Sequence, residues 1–405
     1  MPVRLPKGRA TLIAMLAITV AILAARDAAS FVFQHISPIA ALQFDSDNPI
    51  ALIRREQNEL ASGLASEKRR DERLAIIQRS VESFPLNAAA FRLFSLLALS
   101  ADKQDSFGSQ IAFADRLSRR DVGTQFFLIE EAVRNNDIDR ALRHYDSALR
   151  VNEESRSVLF PVLAEALGQP AVRRKLSSYM SEPAPWFDGF LRHAIKTSNA
   201  PQNITLLGRE NGGFPQTESF HARQVELVSR LAATGHYRLA IEQYLALSDS
   251  DDSALGTIGF TESTTTEENT PIAWDLVATD DHLPLFVREK GGEIAVKSEV
   301  EGGYVGPLAG RLMALRAERY NLTFRHESDV PRGFGNVEWL VTCVDSVEPR
   351  RILNRTLQLG SEVEKTTPLV IPADCPVQLV NSILRLEPST QRYEILTRSP
   401  VLEPA

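Results

Sequence analysis

The sequence predicts a multidomain chain, α then β: an apolar N-terminal segment, a helical solenoid and a C-terminal antiparallel β-sandwich. Three observations support this fold class. An uncharged run covers residues 10–25, helical apolar spacing continues from 49 to about 248, and an acidic, serine-rich stretch at 248–253 precedes an alternation of period two. We expect an anchor, a helical body, a sandwich and a C-terminal tail at residues 1–36, 37–250, 251–395 and 396–405.

Length and charge bound the function classes. A chain of 405 residues is long enough for two or three domains, each with its own core. The net charge is −7, but residues 1–36 hold four basic residues against one aspartate, so the remaining chain sums to −10. Because this body is acidic and has no long basic stripe, we expect no nucleic-acid partner and no broad contact with anionic lipid.

The N-terminal segment has the order of charges that directs export. Arg4, Lys7 and Arg9 precede the uncharged run, which predicts by the positive-inside rule that the following chain crosses the membrane. As a helix the run spans about 24 Å, a little short of a hydrocarbon core of about 30 Å, and residues 28–33 can extend it. A cleaved signal peptide is the competing interpretation. Its cut sites are poor, so we favour a retained single-pass anchor.

The clearest helical unit is a hairpin over residues 122–151. Ala141 and Ala148 flank Tyr145 on its second helix, so the two helices can approach closely, and Asn135-Asn136-Asp137 marks the turn between them. A similar unit has its turn at 234–236. Its Ala240 lies 99 residues after Ala141, close to three periods of about 34 residues.

This order of small and large positions resembles the tetratricopeptide repeat. The resemblance implies a solenoid whose concave groove holds a protein partner. Two alternatives stay open at this point. The helices can instead form a generic bundle, or they can merely space the C-terminal domain from the membrane.

Alternating apolar residues predict the β-sandwich and its core. Tyr320, Leu322 and Phe324 alternate with polar neighbours, and Trp339 shares a face with Cys343, four residues on. Cys343 and Cys375 are the only cysteines in the sequence. An even pair in an exported chain usually forms a disulfide, whereas a cytosolic pair would stay reduced. We expect the Cys343–Cys375 disulfide and a buried Trp339.

Short motifs of this region carry a second resemblance. Over roughly residues 255–390 they look like the jelly-roll domain, similar to carbohydrate-binding modules, of repeat proteins from bacterial exopolysaccharide gene clusters. The motifs are Pro271–Leu276, Tyr320–Phe324, Trp339–Cys343 and Ile371–Leu379. The resemblance implies a non-catalytic scaffold or adaptor in polysaccharide biosynthesis or export. It places the chain in a bacterial inner membrane with its body in the periplasm.

Sugar contact in such a domain needs exposed aromatic rings flanked by polar side chains. The candidates are Trp274, beside Asp275, and Tyr304 in the glycine-rich loop 301–306. A core position is the competing interpretation for both rings; we favour it for Trp274 and keep Tyr304 as the better candidate for contact. The acidic Asp280-Asp281-His282 is expected to be a solvated turn and not a calcium site.

The sequence contains no motif of a hydrolase, a nucleotide-binding loop or a metal centre, so we expect no cofactor and no resident metal. A carbohydrate-active hydrolase or transferase subunit without a recognisable motif is the alternative function. Carboxylates lining a groove would favour that enzyme, because glycosidases use a pair of them.

Overall fold

The computed structural model describes residues 7–62, 70–99, 104–197, 199–247, 250–266, 271–344 and 349–405. Arg4 of the basic flank and residues 248–249 of the expected linker lie outside the described residues. The chain divides into two compact units, Met1–Leu159 and Phe160–Ala405.

The predicted apolar segment is a single helix, α1 (Lys7–Phe33). Its stretch Thr11–Phe33 is long and apolar enough to cross a membrane, and a signal sequence near an N-terminus passes the same test. At about 1.5 Å per residue these 23 residues span about 35 Å, more than the predicted run alone. Ser30 near its end donates a hydrogen bond to the Ala41 carbonyl at 3.2 Å, which fixes the end of α1 to the next helix.

The first unit continues with short helices. They are α2 (Pro38–Phe44), α3 (Pro49–Ala61), α4 (Arg70–Ser83), α5 (Ala88–Leu99), α6 (Gln104–Leu117), α7 (Val122–Arg134) and α8 (Ile138–Val151). Of these, α3, α7 and α8 are capped by the side chains of Asn48, Asp121 and Asp137. The hairpin expected over residues 122–151 is therefore present as α7 and α8. Ala141, Tyr145 and Ala148 are buried along α8, as the spacing predicts.

The second unit begins within another series of helices. They are α9 (Ser155–Ala166), α10 (Pro170–Leu176), α11 (Ser178–Ser181), α12 (Phe187–Thr197), α13 (Gln202–Glu210), α14 (Glu218–Ala233), α15 (Tyr237–Leu245), α16 (Asp252–Gly256) and α17 (Glu262–Thr265). Helices α14 and α15 form the second expected hairpin.

The turns of the two hairpins have the same geometry. Asn136 in the first and Gly235 in the second have positive φ angles of 56° and 82°. The next residue in each donates its backbone N–H to a carbonyl five residues back, Asp137 to Ala132 and His236 to Leu231, both at 2.8 Å. Two like hairpins agree with the repeat interpretation, but a tetratricopeptide solenoid stays a prediction.

The rest of the second unit is the predicted antiparallel β-sandwich. Its strands are β1 (Asp275–Leu276), β2 (His282–Arg288), β3 (Ile294–Glu301), β4 (Val305–Met313), β5 (Arg319–Ser328), β6 (Gly335–Cys343), β7 (Arg350–Gln358), β8 (Val363–Val370), β9 (Gln378–Leu386), β10 (Arg392–Arg398) and β11 (Val401–Pro404). One sheet has the order β1-β4-β9-β6-β7; the other has the order β11-β5-β10-β3-β2, with β8 also paired to β5.

The C-terminal residues differ from the expectation of a tail at 396–405. They complete β10 and form β11, which pairs with β5 through Leu402 and Leu322. Leu402 packs against the sandwich core, and the prolines at 400 and 404 suit the ends of a short strand. The stretch is too short for its alternation to be recognised in the sequence.

The core between the sheets contains the predicted tryptophan and disulfide. Trp339 is 1% exposed and stacks on Phe324 with ring centroids 4.5 Å apart. Cys343 and Cys375 are bonded to each other and buried, which confirms the predicted pair.

A hydrogen-bonded histidine lies in the same core. The Trp339 Nε1–H donates to Nε2 of His326 at 3.0 Å, so the imidazole proton is on Nδ1 and is donated to the Thr397 hydroxyl, also at 3.0 Å. Burial lowers the pKa of His326 from its ordinary value of 6.5 to about 4. The neutral imidazole therefore links the two sheets.

Candidate functional site

Trp274 lies in the core and does not offer a ring to a ligand. Its side chain is 2% exposed, and its indole meets Phe260 and Trp339 edge-on, with centroid distances of 5.4 and 6.0 Å. The indole N–H donates to the Ile258 carbonyl at 3.1 Å, and the Arg311 guanidinium lies 5.7 Å from the ring. The candidate sugar platform at Trp274 is therefore replaced by the competing core position.

Tyr304 is half-buried and lies immediately before β4. Its ring packs on His282 with centroids 4.8 Å apart, and its hydroxyl donates to the Pro307 carbonyl at 3.0 Å. Burial raises the pKa of this phenol. One ring face and the hydroxyl are thus already engaged within the protein, which leaves Tyr304 a partial contact surface at most.

Asp275 is exposed and lies in register with residues of four strands of the five-stranded sheet. Strand pairing aligns it with Gly310 of β4. The same row continues across the sheet through Asn381 of β9, Leu340 of β6 and Asn354 of β7. Gly310 makes room within this row, because a Cβ there would lie 2.5 Å from Oδ1 of Asn381. Asp275, proposed only as a neighbour of Trp274, belongs to the opposite face of the sheet from the indole.

The outward side of this sheet combines amides and hydroxyls with a few apolar side chains. Because Val337, Trp339 and Val341 face the core, strand alternation turns the residues between them outward. We call the outward set on β6, β7 and β9 the amide face. It comprises Asn336, Glu338, Leu340, Thr342, Arg351, Asn354, Thr356, Gln358, Leu379, Asn381, Ile383 and Arg385.

The amides of this face are available for a ligand. No described residue forms a hydrogen bond with the side-chain amides of Asn336, Asn354, Gln358 or Asn381. Glu338 and Arg385 pair with each other at 3.6 Å, which leaves the exposed Arg351, beside Thr342, as the charged group of this face. Leu340, only 8% exposed, lies in the row between Asn381 and Asn354 and gives the face a small apolar centre.

The outward side of the other sheet is different in chemistry. Strands β3, β5, β8 and β10 present charged side chains that neutralise each other, and the edge strand β2 adds the exposed Leu283 and Leu285. The pairs are Lys297–Glu394 at 2.8 Å, Arg398–Glu327 at 3.1 Å, Arg325–Glu364 at 3.1 Å and Arg392–Glu301. Such exposed ion pairs make a solvated surface, so the amide face is the distinctive side of the sandwich.

An exposed aromatic ring that the sequence analysis missed lies next to this face. Phe334 is 46% exposed and comes immediately before β6, two residues before Asn336. Its carbonyl accepts the Glu387 N–H at 2.8 Å, beside the Leu386 N–H that donates to the Tyr304 carbonyl at 2.9 Å. Phe334 and Tyr304 thus flank the same end of β9. The signal was a large aromatic residue between two glycines in a turn.

The Asp280-Asp281-His282 stretch has the geometry of a turn and a strand start. Both aspartates are exposed, while His282 is buried and donates from Nδ1 to the Val277 carbonyl at 3.0 Å. Burial lowers the pKa of His282. Within the described ranges, no three histidine, cysteine or acidic residues are placed to hold a metal ion.

Comparison with known proteins gives similar solved structures but no family. No family model matches it, and no curated protein matches it. Similar solved structures include TmCBM61 in complex with β-1,4-galactotriose, at 10% identity over 36% of this chain and 99% of that one, with a TM-score of 0.26. The N-terminal cellulose-binding domain of Cellulomonas fimi β-1,4-glucanase C has 16% identity over 33% and 90%, with a TM-score of 0.22.

A third neighbour is the CBM22-1 xylan-binding domain of Paenibacillus barcinonensis Xyn10C. It has 10% identity over 33% of this chain and 86% of that one, with a TM-score of 0.23. At such scores the likeness carries no inference about binding. The assignment of a β-sandwich rests on the strand pairing described above.

Proposed function

We propose that the β-sandwich binds a glycan on the amide face. The observation that supports this proposal is the set of unpaired amides in register on β6, β7 and β9, around Leu340. Each amide can donate and accept at once, which matches neighbouring sugar hydroxyls. The half-buried Ile383 can contact the C–H face of a pyranose ring, and Phe334 and Tyr304 flank one end.

The dimensions of the face suit a short run of sugar rings. Adjacent strands lie about 4.8 Å apart, so the row from Asn381 through Leu340 to Asn354 spans about 10 Å. The amide face is also rigid, because backbone hydrogen bonds between neighbouring strands fix the Cα position of each of its residues. Binding here then orders few protein groups, which limits its entropic cost.

The whole chain is proposed to act as a non-catalytic scaffold or adaptor in polysaccharide biosynthesis or export. Helix α1 would anchor it as a single pass in a bacterial inner membrane, with its body in the periplasm. The helical body would hold a protein partner in its groove, and the sandwich would hold the polysaccharide. This wider role is supported by the sequence resemblance and by the order of apolar helix, hairpins and sandwich.

An enzyme subunit is not proposed. A glycosidase needs two carboxylates on either side of the bond it cleaves. Each of three clefts in the described part of the chain is lined by a single carboxylate, Glu362, Asp121 or Glu165. On the amide face, Glu338 is already paired with Arg385.

Retention of the full-length protein, in detergent, on the polysaccharides of its own cell tests the proposal. The double variant Asn354→Ala, Asn381→Ala should be retained about tenfold more weakly, because each neutral hydrogen bond contributes about 0.5–1.5 kcal/mol. Asn321→Ala, an exposed amide on the other sheet, is the matched control and should bind like the wild type. If the wild type is retained on none of these polymers, the sandwich is a protein-docking module instead.

A further inference from the structure

A second cleft opens beside the amide face, at the edge of the sandwich. It has a volume of about 670 Å³ and lies between β7, the loop that leads to β8, β8 itself and the turn before β6. Thr356 and Gln358, which belong to the amide face, also line this cleft. The two surfaces are therefore continuous along β7.

Three cationic side chains line this edge cleft. They are Arg332, Arg355 and Lys365, against the single carboxylate of Glu362, so the cleft has a net charge of about +2 at neutral pH. Among the described ion pairs, none involves any of the three cations. Glu362 also acts elsewhere, because its charge helps to raise the pKa of Arg398.

Arg355 is the most unusual of the three. Arg355 lies on β7, in register with Trp339 of β6. Its neighbours two residues away, Leu353 and Leu357, have side chains buried in the core. Its Nε is buried and has no hydrogen-bond partner within the described part of the protein. This Nε is out of reach of a ligand, so an anion in the cleft would bind the terminal nitrogens of the guanidinium, whose charge no described carboxylate neutralises.

Lys365 approaches from the other sheet. Lys365 lies on β8, in register with Phe324 of β5. It is exposed, so its ammonium can reach solvent in the cleft. The neighbouring Arg325 and Glu364 pair with each other at 3.1 Å, on the outward side of the same two strands. Strand alternation thus separates a neutralised outer face from an unneutralised cleft.

We propose that the edge cleft binds the carboxylate of a uronic-acid residue, so that the glycan recognised by this protein is an acidic polysaccharide. The inference rests on the proposed glycan binding at the amide face. A single glycan chain would lie across the amides and turn its carboxylate over β7 into the cleft. Arg355 and Arg332 would donate charge-assisted hydrogen bonds to it, and Lys365 would add a third cation.

Calorimetric titration of the full-length protein in detergent tests this inference. The probes are hexagalacturonate and hexamannuronate, their carboxyl-reduced neutral counterparts, and sodium sulfate as a free oxyanion. Arg355→Gln and Lys365→Gln should each weaken binding of a uronate hexamer about tenfold and leave the neutral hexamer unchanged. Lys290→Gln, which removes the same charge from the exposed turn between β2 and β3, should change neither. Because Lys365 is exposed, the Lys365→Gln variant should fold normally and tests the inference even if Arg355→Gln does not fold.

The outcomes separate this inference from the proposed function. Equal binding of acidic and neutral hexamers, unchanged by either variant, would overturn the uronate site and leave glycan binding intact. Binding of no hexamer, by a protein that is still retained on a polysaccharide of its own cell, would overturn the uronate site alone, whereas loss of retention as well would overturn both. Sulfate bound as tightly as the uronate hexamers, and lost in Lys365→Gln, would show a site for small anions and overturn the role of the glycan. Weaker uronate binding at higher salt would agree with a charge-based site.

Discussion

Replacing Trp274 with alanine tests whether this indole holds the sandwich core together. The ring contacts Phe260 and Trp339, and its N–H satisfies the buried Ile258 carbonyl. Removing a buried tryptophan side chain costs about 3–5 kcal/mol. The unpaired carbonyl adds about 1 kcal/mol. We therefore expect the free energy of unfolding of the sandwich to fall by about 4–6 kcal/mol, a large part of the stability of a domain.

Urea unfolding followed by tryptophan fluorescence measures this change, in a Trp186→Phe background so that only tryptophans of the sandwich contribute. Trp274→Phe keeps an aromatic ring but loses the N–H, so it should cost less, about 1–3 kcal/mol. Phe334→Ala is the exposed control and should cost under about 1 kcal/mol, since this ring is 46% exposed. A Trp274→Ala variant as stable as the wild type would refute the core position and restore Trp274 as a candidate ligand platform.

Three further predictions concern stability. Because burial lowers the pKa of His326 from 6.5 to about 4, the unfolded chain binds the proton more readily. The stabilising contribution of the neutral His326 should be complete above pH 6.5, and the free energy of unfolding should fall by about 3 kcal/mol as the pH falls to 4. Urea unfolding at several pH values should show a weaker pH dependence of this free energy in His326→Gln, and an unchanged pH dependence would contradict the prediction. Asn136→Gly should stabilise the first hairpin by about 0.5 kcal/mol, because Asn136 has a φ of 56°; thermal melting measures it, and Asn135→Gly, at a φ of −87°, should destabilise instead. His236 caps α15 without a side-chain hydrogen bond, so His236→Asp should raise the free energy of unfolding by about 1 kcal/mol, and a lower melting temperature would contradict this.

The parts of the fold that depend on local patterns could be predicted from the sequence. The α7–α8 hairpin follows from helical spacing and from a turn that tolerates positive φ at Asn136. The sandwich, the buried Trp339 and the disulfide follow from period-two alternation and from the count of cysteines. Each of these signals lies within a few residues of the chain or in its composition.

The amide face could not be predicted because it depends on strand register. Asn354 and Asn381 are separated by 27 positions, and only the pairing of β7 and β9 with β6 brings them into one row with Leu340. Each amide alone looks like an ordinary polar residue on a solvated strand. Trp274 shows the converse, since its neighbour Asp275 is exposed while the indole faces the core.

The edge cleft depends on an even longer-range arrangement. Arg355 and Lys365 belong to different sheets. Nothing in the sequence around either residue shows that its strand lies at a sheet edge, or that this edge is accessible. Strand alternation alone would turn the Arg355 side chain inward, between apolar neighbours. From the sequence, this charged residue would therefore indicate an irregular strand. Only the described cleft shows that this guanidinium lies at an accessible edge.

Methyl resonances of the full-length protein, recorded during titration with the best-retained glycan, test the central claim most directly. Leu340, Leu379 and Ile383 lie on the amide face, whereas Leu283, Leu285 and Leu396 lie on the outward side of the other sheet. Glycan binding on the amide face predicts shifts in the first three resonances and none in the second three. Shifts confined to the second three, or to the helical body, would contradict it.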